Sequence, residues 1–162
     1  MSDAIKQPEP EHRPEEAGPP PGTPVVVRVT ARPGADDIDW SLKWQFRGQS
    51  DWHDDPIVIP PKKKAQPATP ITFELIDETR RCLKFQPTAR DAIWSLRSGC
   101  PGEKLSSHDT ELELNGPPPQ SKQLTIVDRN WDKCSVYFRL RFRDDAGKEV
   151  SYDPEIRNGG SN

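Results

Sequence analysis

The sequence predicts an all-β fold: a single antiparallel β-sandwich of immunoglobulin-like type, built from about eight short strands. A closed β-barrel is the alternative. Three observations point there. Apolar residues recur with a period of two along most of the chain, the mark of strands with one buried face. Proline and glycine interrupt these runs at short intervals, as the turns of an all-β domain require. The clean inside/outside alternation suits antiparallel sheets that keep one face in water.

The first strand is expected only after a proline-rich start. Residues 1–23 carry Pro8, Pro10, Pro14, Pro19, Pro20 and Pro21 beside Glu9, Glu11, Glu15 and Glu16, with Ile5 the one large aliphatic residue after Met1. Such a segment has too little apolar surface to offset the entropy of ordering it, so it reads as a disordered tail. The domain is expected over residues 24–157, with a flexible end at 158–162.

Within the domain, Val25, Val27 and Val29 alternate in "PVVVRVTAR", and "RPGADD" supplies a turn. Trp40, Leu42, Trp44 and Phe46 alternate with polar residues and are expected in the core. "RGQSDWHDDP" reads as a loop and "PIVIPP" as a short strand cut off by proline. "KKKAQPATP" is another loop. "ITFELID" turns Ile71, Phe73 and Leu75 to one face, and "CLKF" follows. "PTARDAIWSLRSG" is ambiguous. It fits a helix capped by Thr88, and it fits a strand in which Ala92, Trp94 and Leu96 share a face; the strand is favoured because its neighbours are strands. "TELEL" and "QLTIVD" are strands, the latter with Leu124 and Ile126 inward. "CSVYFRLRFR" is the longest, and "DDAG" turns it back into "KEVSY" as a hairpin. The ending "YDPEIRNGGSN" reads as a chain leaving its last strand, and it resembles the ends of small bacterial all-β proteins.

Composition narrows the function classes. The chain has 162 residues, 31% of them hydrophobic, with a net charge of −3 and a pI near 5.7. That balance disfavours nucleic acid as a partner. No apolar run reaches membrane-spanning length, and the start lacks the pattern of a signal peptide. A cytoplasmic location is expected, and Cys82, Cys100 and Cys134 fit it as reduced thiols, although Cys82 and Cys100 are close enough in sequence to pair.

The residues singled out for binding are Tyr137, Arg139, Arg141 and Arg143 on one strand face, and Trp52 and Trp131 in polar loops. Three guanidiniums in a row, about 7 Å apart, suit carboxylates or phosphates because each bonds bidentately. The plainer explanation is cross-strand pairing with Glu111, Glu113 or Glu149. A third arrangement lays the acidic "EPEHRPEE" of the tail on this face until a partner displaces it. Trp52 and Trp131 are either loop anchors or recognition residues for a protein or a sugar. Lys62, Lys63 and Lys64 read as a solvated loop.

Other chemistries lack their residues. Asp36, Asp37 and Asp39 lie at the opposite end of a strand from Asp51, Asp54 and Asp55, about 25–30 Å away, too far to share a calcium ion. The cysteines and histidines have no zinc-binding spacing. No nucleophile elbow, phosphate loop or metalloprotease motif occurs, and His53 and His108 sit in polar turns without an identifiable nucleophile. The expectation is therefore a non-catalytic protein-interaction module without cofactor or metal. A ligand- or carbohydrate-binding domain and a self-associating protein that pairs through a strand edge are the alternatives.

Overall fold

The computed structural model describes residues 19–98, 112–114 and 116–161. The expected tail lies outside these up to residue 18, as do Cys100, His108 and Glu111. Residues 19–23 form a turn in which Thr23 donates its N–H and hydroxyl to the Pro20 carbonyl.

Alternation of apolar residues produces the strands. β1 (Val25–Gly34) buries Val25, Val27, Val29 and Ala31, and β2 (Asp37–Phe46) buries Leu42, Trp44 and Phe46. Two short strands follow, β3 (His53–Asp54) and β4 (Ile57–Ile59), then β5 (Thr69–Asp77) and β6 (Lys84–Phe85). One helical turn, α1 (Ala89–Ala92), leads directly into β7 (Ile93–Ser98). β8 (Leu112–Glu113), β9 (Gln123–Asp128), β10 (Lys133–Arg143), β11 (Glu149–Tyr152) and β12 (Glu155–Gly159) complete the order.

The strands form two sheets, and neither closes into a barrel. The first runs β3-β2-β1-β5-β9-β8. The second runs β11-β10-β12-β4, with β6 and β7 also on β10. Both are mixed, not antiparallel as the sequence suggested: β1 runs parallel to β5, and β12 parallel to β4. The cause is a change of sheet. β4 belongs to the second sheet and β5 to the first, so β5 arrives beside β1 and not beside its predecessor. Among the described residues there are twelve strands instead of about eight; β3 and β12 lie where a loop and a chain exit were expected, while β7 is the strand favoured for the ambiguous segment.

β10 organises the second sheet. It pairs with β11 and β12 in one continuous register, from Arg143 opposite Glu149 to Lys133 opposite Gly159. Asp153 and Pro154 only interrupt this arm; the Pro154 carbonyl still accepts from Phe138 N at 3.1 Å. The Asp-Pro step is thus a break between two strands and not the end of the last one.

Side chains from the two sheets meet between them. Phe73 of β5 meets Phe138 of β10 with ring centroids 5.4 Å apart. Trp40 of β2 stacks on Phe142 at 5.4 Å and on Tyr152 at 5.1 Å. Burying each such apolar side chain is worth about 1.5–3 kcal/mol.

Polar ties clamp both ends. Arg81 binds Asp37 at 2.6 Å and Asp144 at 3.2 Å, joining the β1–β2 turn to the β10–β11 hairpin. At the other end Asp128 accepts from Asn158 Nδ2 at 3.0 Å, and Asn130 bridges Gly160 N and the Pro60 carbonyl, both at 2.8 Å. The expected flexible end at 158–162 is therefore fixed through residue 161, where Ser161 N donates to Trp131 O at 3.0 Å. Gly159 and Gly160 serve close approach there. A Cβ at Gly159 would collide with Pro61, and Gly160 holds φ at +84°.

No helix among the described residues is long and apolar enough to cross a membrane.

Candidate functional site

Alternation along β10 sends Val136, Phe138, Leu140 and Phe142 into the core and leaves Tyr137, Arg139, Arg141 and Arg143 on the outer face of the second sheet. The four residues do share one surface, but the arginines differ. Arg139 donates Nε and Nη2 to the two oxygens of Asp153, at 2.9 and 3.3 Å. These bonds push its pKa further up. Arg141 donates to both oxygens of Glu149, at 3.1 and 2.8 Å, and its guanidinium lies 4.5 Å over the ring of Trp94. Arg143 makes no ion pair among the described residues. Its neighbour across the sheet on β6 is Lys84, a second cation without a carboxylate among those residues.

The pairing foreseen with Glu149 is therefore present, while Glu113 instead meets Arg129 at 3.6 Å. Asp153 was not foreseen. It lies at the β11–β12 break, beside Arg139.

Aromatic side chains occupy the same face. Tyr137 is 49% exposed and Trp94 39%. Trp94 stands opposite Arg139, and Tyr137 opposite Leu96, which makes the two aromatics diagonal neighbours, about 7–8 Å apart. Val58 of β4 also faces outward, in the cross-sheet row of Arg157 and Ser135.

Trp94 was missed because the strand alternative placed it on one face with Ala92, which is buried. α1 changes the phase. Thr88 caps the turn by accepting from Asp91 N at 3.2 Å, Ala92 and Ile93 are both buried, and the alternation restarts from Ile93. Trp94 then points outward. The helix and strand alternatives each described half of this segment.

The loop tryptophans lie elsewhere. Trp52 precedes β3 and rests on the outer face of the first sheet, with the Arg28 guanidinium 4.4 Å over its ring. With the Gln45 amide turned so that its oxygen faces the indole, Trp52 Nε1 donates to it at 2.9 Å. Arg28 in turn meets Glu74 at 3.6 Å. These contacts hold the Trp52 ring against the first sheet. Trp131 is 52% exposed, in the β9–β10 connection, with Arg129 4.8 Å over its ring. Trp52, held on the first sheet, does not share a surface with the arginine row.

Several other polar groups are engaged in structure. Asp54 pairs with Lys43, and Asp37 with Arg81. His53 packs on Trp44 with centroids 4.7 Å apart. Cys82 carries a free, exposed thiol, which removes the Cys82–Cys100 pairing, whereas Cys134 is disulfide-bonded. Lys62, expected in solvent, is 6% exposed.

A scan of protein-family models finds none that matches this chain, and a search of curated proteins finds no significant match.

Proposed function

We propose that the chain is a non-catalytic interaction module, a two-layer β-sandwich that docks a protein partner on the outer face of its second sheet. One observation carries this. Of five large apolar side chains exposed among the described residues, three, Val58, Trp94 and Tyr137, lie on that face. Tryptophan, tyrosine and arginine are the residue types that dominate interface energetics. Here the aromatics sit on a rigid sheet, and Arg139 and Arg141 are held by carboxylates, which limits the entropy lost on docking. Arg143 and Lys84 add two cations side by side, so the partner fits best with an apolar group for Tyr137 and Trp94 and a carboxylate for Arg143. The arginine row thus contributes mainly as a frame.

The sandwich form is supported by the Phe73–Phe138 and Trp40–Phe142 contacts between sheets. The two parallel pairs depart from the purely antiparallel sheets of the immunoglobulin arrangement. The disulfide at Cys134 favours an oxidising compartment over the cytoplasm expected from reduced thiols.

The test is site-specific photo-crosslinking in extract of the source cells, with the photoreactive residue at position 137 or, as control, at exposed Ile76 on the first sheet. A discrete adduct from position 137 and none from 76 is expected. The same adducts from both positions would refute the assignment.

A further inference from the structure

Two strand edges face each other across one groove. β2 pairs with β3 only at Lys43 and Trp44, so among the described residues no strand adds to its outer side over residues 37–42. Which backbone groups point outward there follows from the ladder. Arg47 N donates to Pro24 O at 2.8 Å, in the β1–β2 register. Alternate residues of an antiparallel strand bond the same neighbour, so Asp39 and Ser41 turn their N–H and C=O towards β1, and Ile38, Trp40 and Leu42 turn theirs away. Across the groove lies β11, also an edge of its sheet. Asp36, Asp37, Ile38 and Trp40 line one wall and residues 148–151 the other. Arg81, bound to Asp37 and Asp144, fixes the two walls.

An unpaired edge presents N–H and C=O groups to any extended segment, and the side chains around it select among segments. Ile38 and Trp40 pack towards the core, and with Val150 they give the groove an apolar floor. Asp37 and Asp39 lie on the opposite, outer face of β2. Among the residues lining the groove, three carboxylates, Asp36, Asp37 and Glu149, stand against one ammonium, Lys148. Asp37 and Glu149 are held by Arg81 and Arg141, while Asp36 and Asp39 make no ion pair among the described residues. A second copy of the chain fits poorly. Pairing two β2 edges with outer faces aligned sets Asp39 opposite or diagonal to Asp37 or Asp39 of the other copy, and like charges so placed are destabilising.

We propose that the edge of β2 from Asp37 to Leu42 is a strand-addition site for an extended segment of a partner protein in which lysine or arginine alternates with apolar residues. Main-chain bonds to Ile38, Trp40 and Leu42 supply affinity, and the alternation supplies specificity. On one side of the added strand, apolar residues cover Ile38, Trp40 and Val150. On the other, the cations lie beside Asp37 and Asp39. The site is independent of the face that carries Tyr137 and Trp94, and it stands whether or not that face binds a partner.

Residue-resolved amide hydrogen exchange on the full chain, read by NMR, tests this. The probe is a synthetic heptapeptide of alternating lysine and valine, blocked at both ends, and the control is its glutamate–valine counterpart. With about 1 mM lysine–valine peptide, exchange of the Ile38, Trp40 and Leu42 amides is expected to slow about fivefold, the factor for roughly four sites in five occupied. The variant Asp36→Asn/Asp39→Asn, changed at two exposed positions, is expected to bind this peptide about threefold more weakly, the scale of an exposed ion pair. No slowing at the three amides, or unchanged affinity in the variant, overturns the proposal. Protection of the Glu149 and Ser151 amides instead places the added strand on β11 and overturns the assignment to β2. Equal protection by the two peptides shows that charge does not select the occupant, and slow exchange in dilute protein without peptide shows that the chain covers its own edge; either result overturns the proposal.

Discussion

Arg141 grips Glu149 with two bonds and lies over Trp94, and its side chain is only 19% exposed; Arg143, two residues on, makes no ion pair among the described residues. Replacing them should therefore have different effects. Arg141→Ala is expected to lower unfolding free energy by about 1 kcal/mol, the combined scale of an ion pair and a cation–π contact. Arg143→Ala should stay within about 0.5 kcal/mol of wild type. Urea unfolding measures both, and an equal loss in the two variants would contradict the distinction. The sequence could not separate these arginines, because alternation assigns a face and says nothing about which carboxylate faces which guanidinium. Glu149 was legible as the hairpin partner; Asp153 was not, because the strand break that positions it looked like a chain exit. Acid sensitivity also has a residue-level source. Burial pushes the pKa of Asp77 up, but bonds from the Thr79 hydroxyl, Thr79 N–H and Leu83 N–H, with Lys122 nearby, hold it below the usual carboxylate value. Asp144 is likewise held low, first by the Lys148 N–H and then by Arg81 and the Ala146 N–H. A folded pKa below the unfolded one means stability that is present above the unfolded value and lost as pH falls through the folded one. The thermal midpoint should thus drop between about pH 5 and pH 2, and Asp77→Asn should flatten that drop. An unchanged pH profile in Asp77→Asn would remove that carboxylate from the explanation.

Among the elements, β10 was the most legible, since its strict alternation named the buried Val136, Phe138, Leu140 and Phe142 and the outward-facing arginines together. Central position follows from that pattern: the strand takes the β11–β12 arm on one side and β6 and β7 on the other. Phe142 is fully buried against Trp40 and Phe85. Phe142→Ala is expected to cost about 3–5 kcal/mol by opening a cavity between the sheets. Thr88→Ala, which removes one cap from a single helical turn, should cost only about 1 kcal/mol. Chemical denaturation ranks the two, and a larger loss for Thr88→Ala would mean that α1, and not β10, holds the sheet together. Segments that mix periods were less legible. Around Ala92 one helical turn shifts the strand phase by a residue, and no local pattern shows where a four-residue helix stops. Gly159 and Gly160 read as flexibility because glycine permits both disorder and close packing, and only the neighbouring Pro61 distinguishes them.

At the scale of the molecule, fold class was readable and sheet order was not. Alternation is a local property, whereas the parallel β1–β5 and β4–β12 pairs depend on where the chain changes sheet. The same limit applied to the surface: Trp52, Trp131 and the arginine row looked equally available, yet among the described residues it is the row that carries two exposed aromatics, Tyr137 and Trp94, on one sheet. In the proposed function, Tyr137 and Trp94 form the docking face. Its most direct test is quantitative affinity capture from extract of the source cells, comparing wild type, Tyr137→Ala/Trp94→Ala and Trp52→Ala, all first shown to be folded by circular dichroism. A partner is expected to be retained by wild type and by Trp52→Ala and lost, by at least about tenfold, from the double variant, as removal of two hot-spot aromatics implies. Equal capture by all three proteins would contradict it.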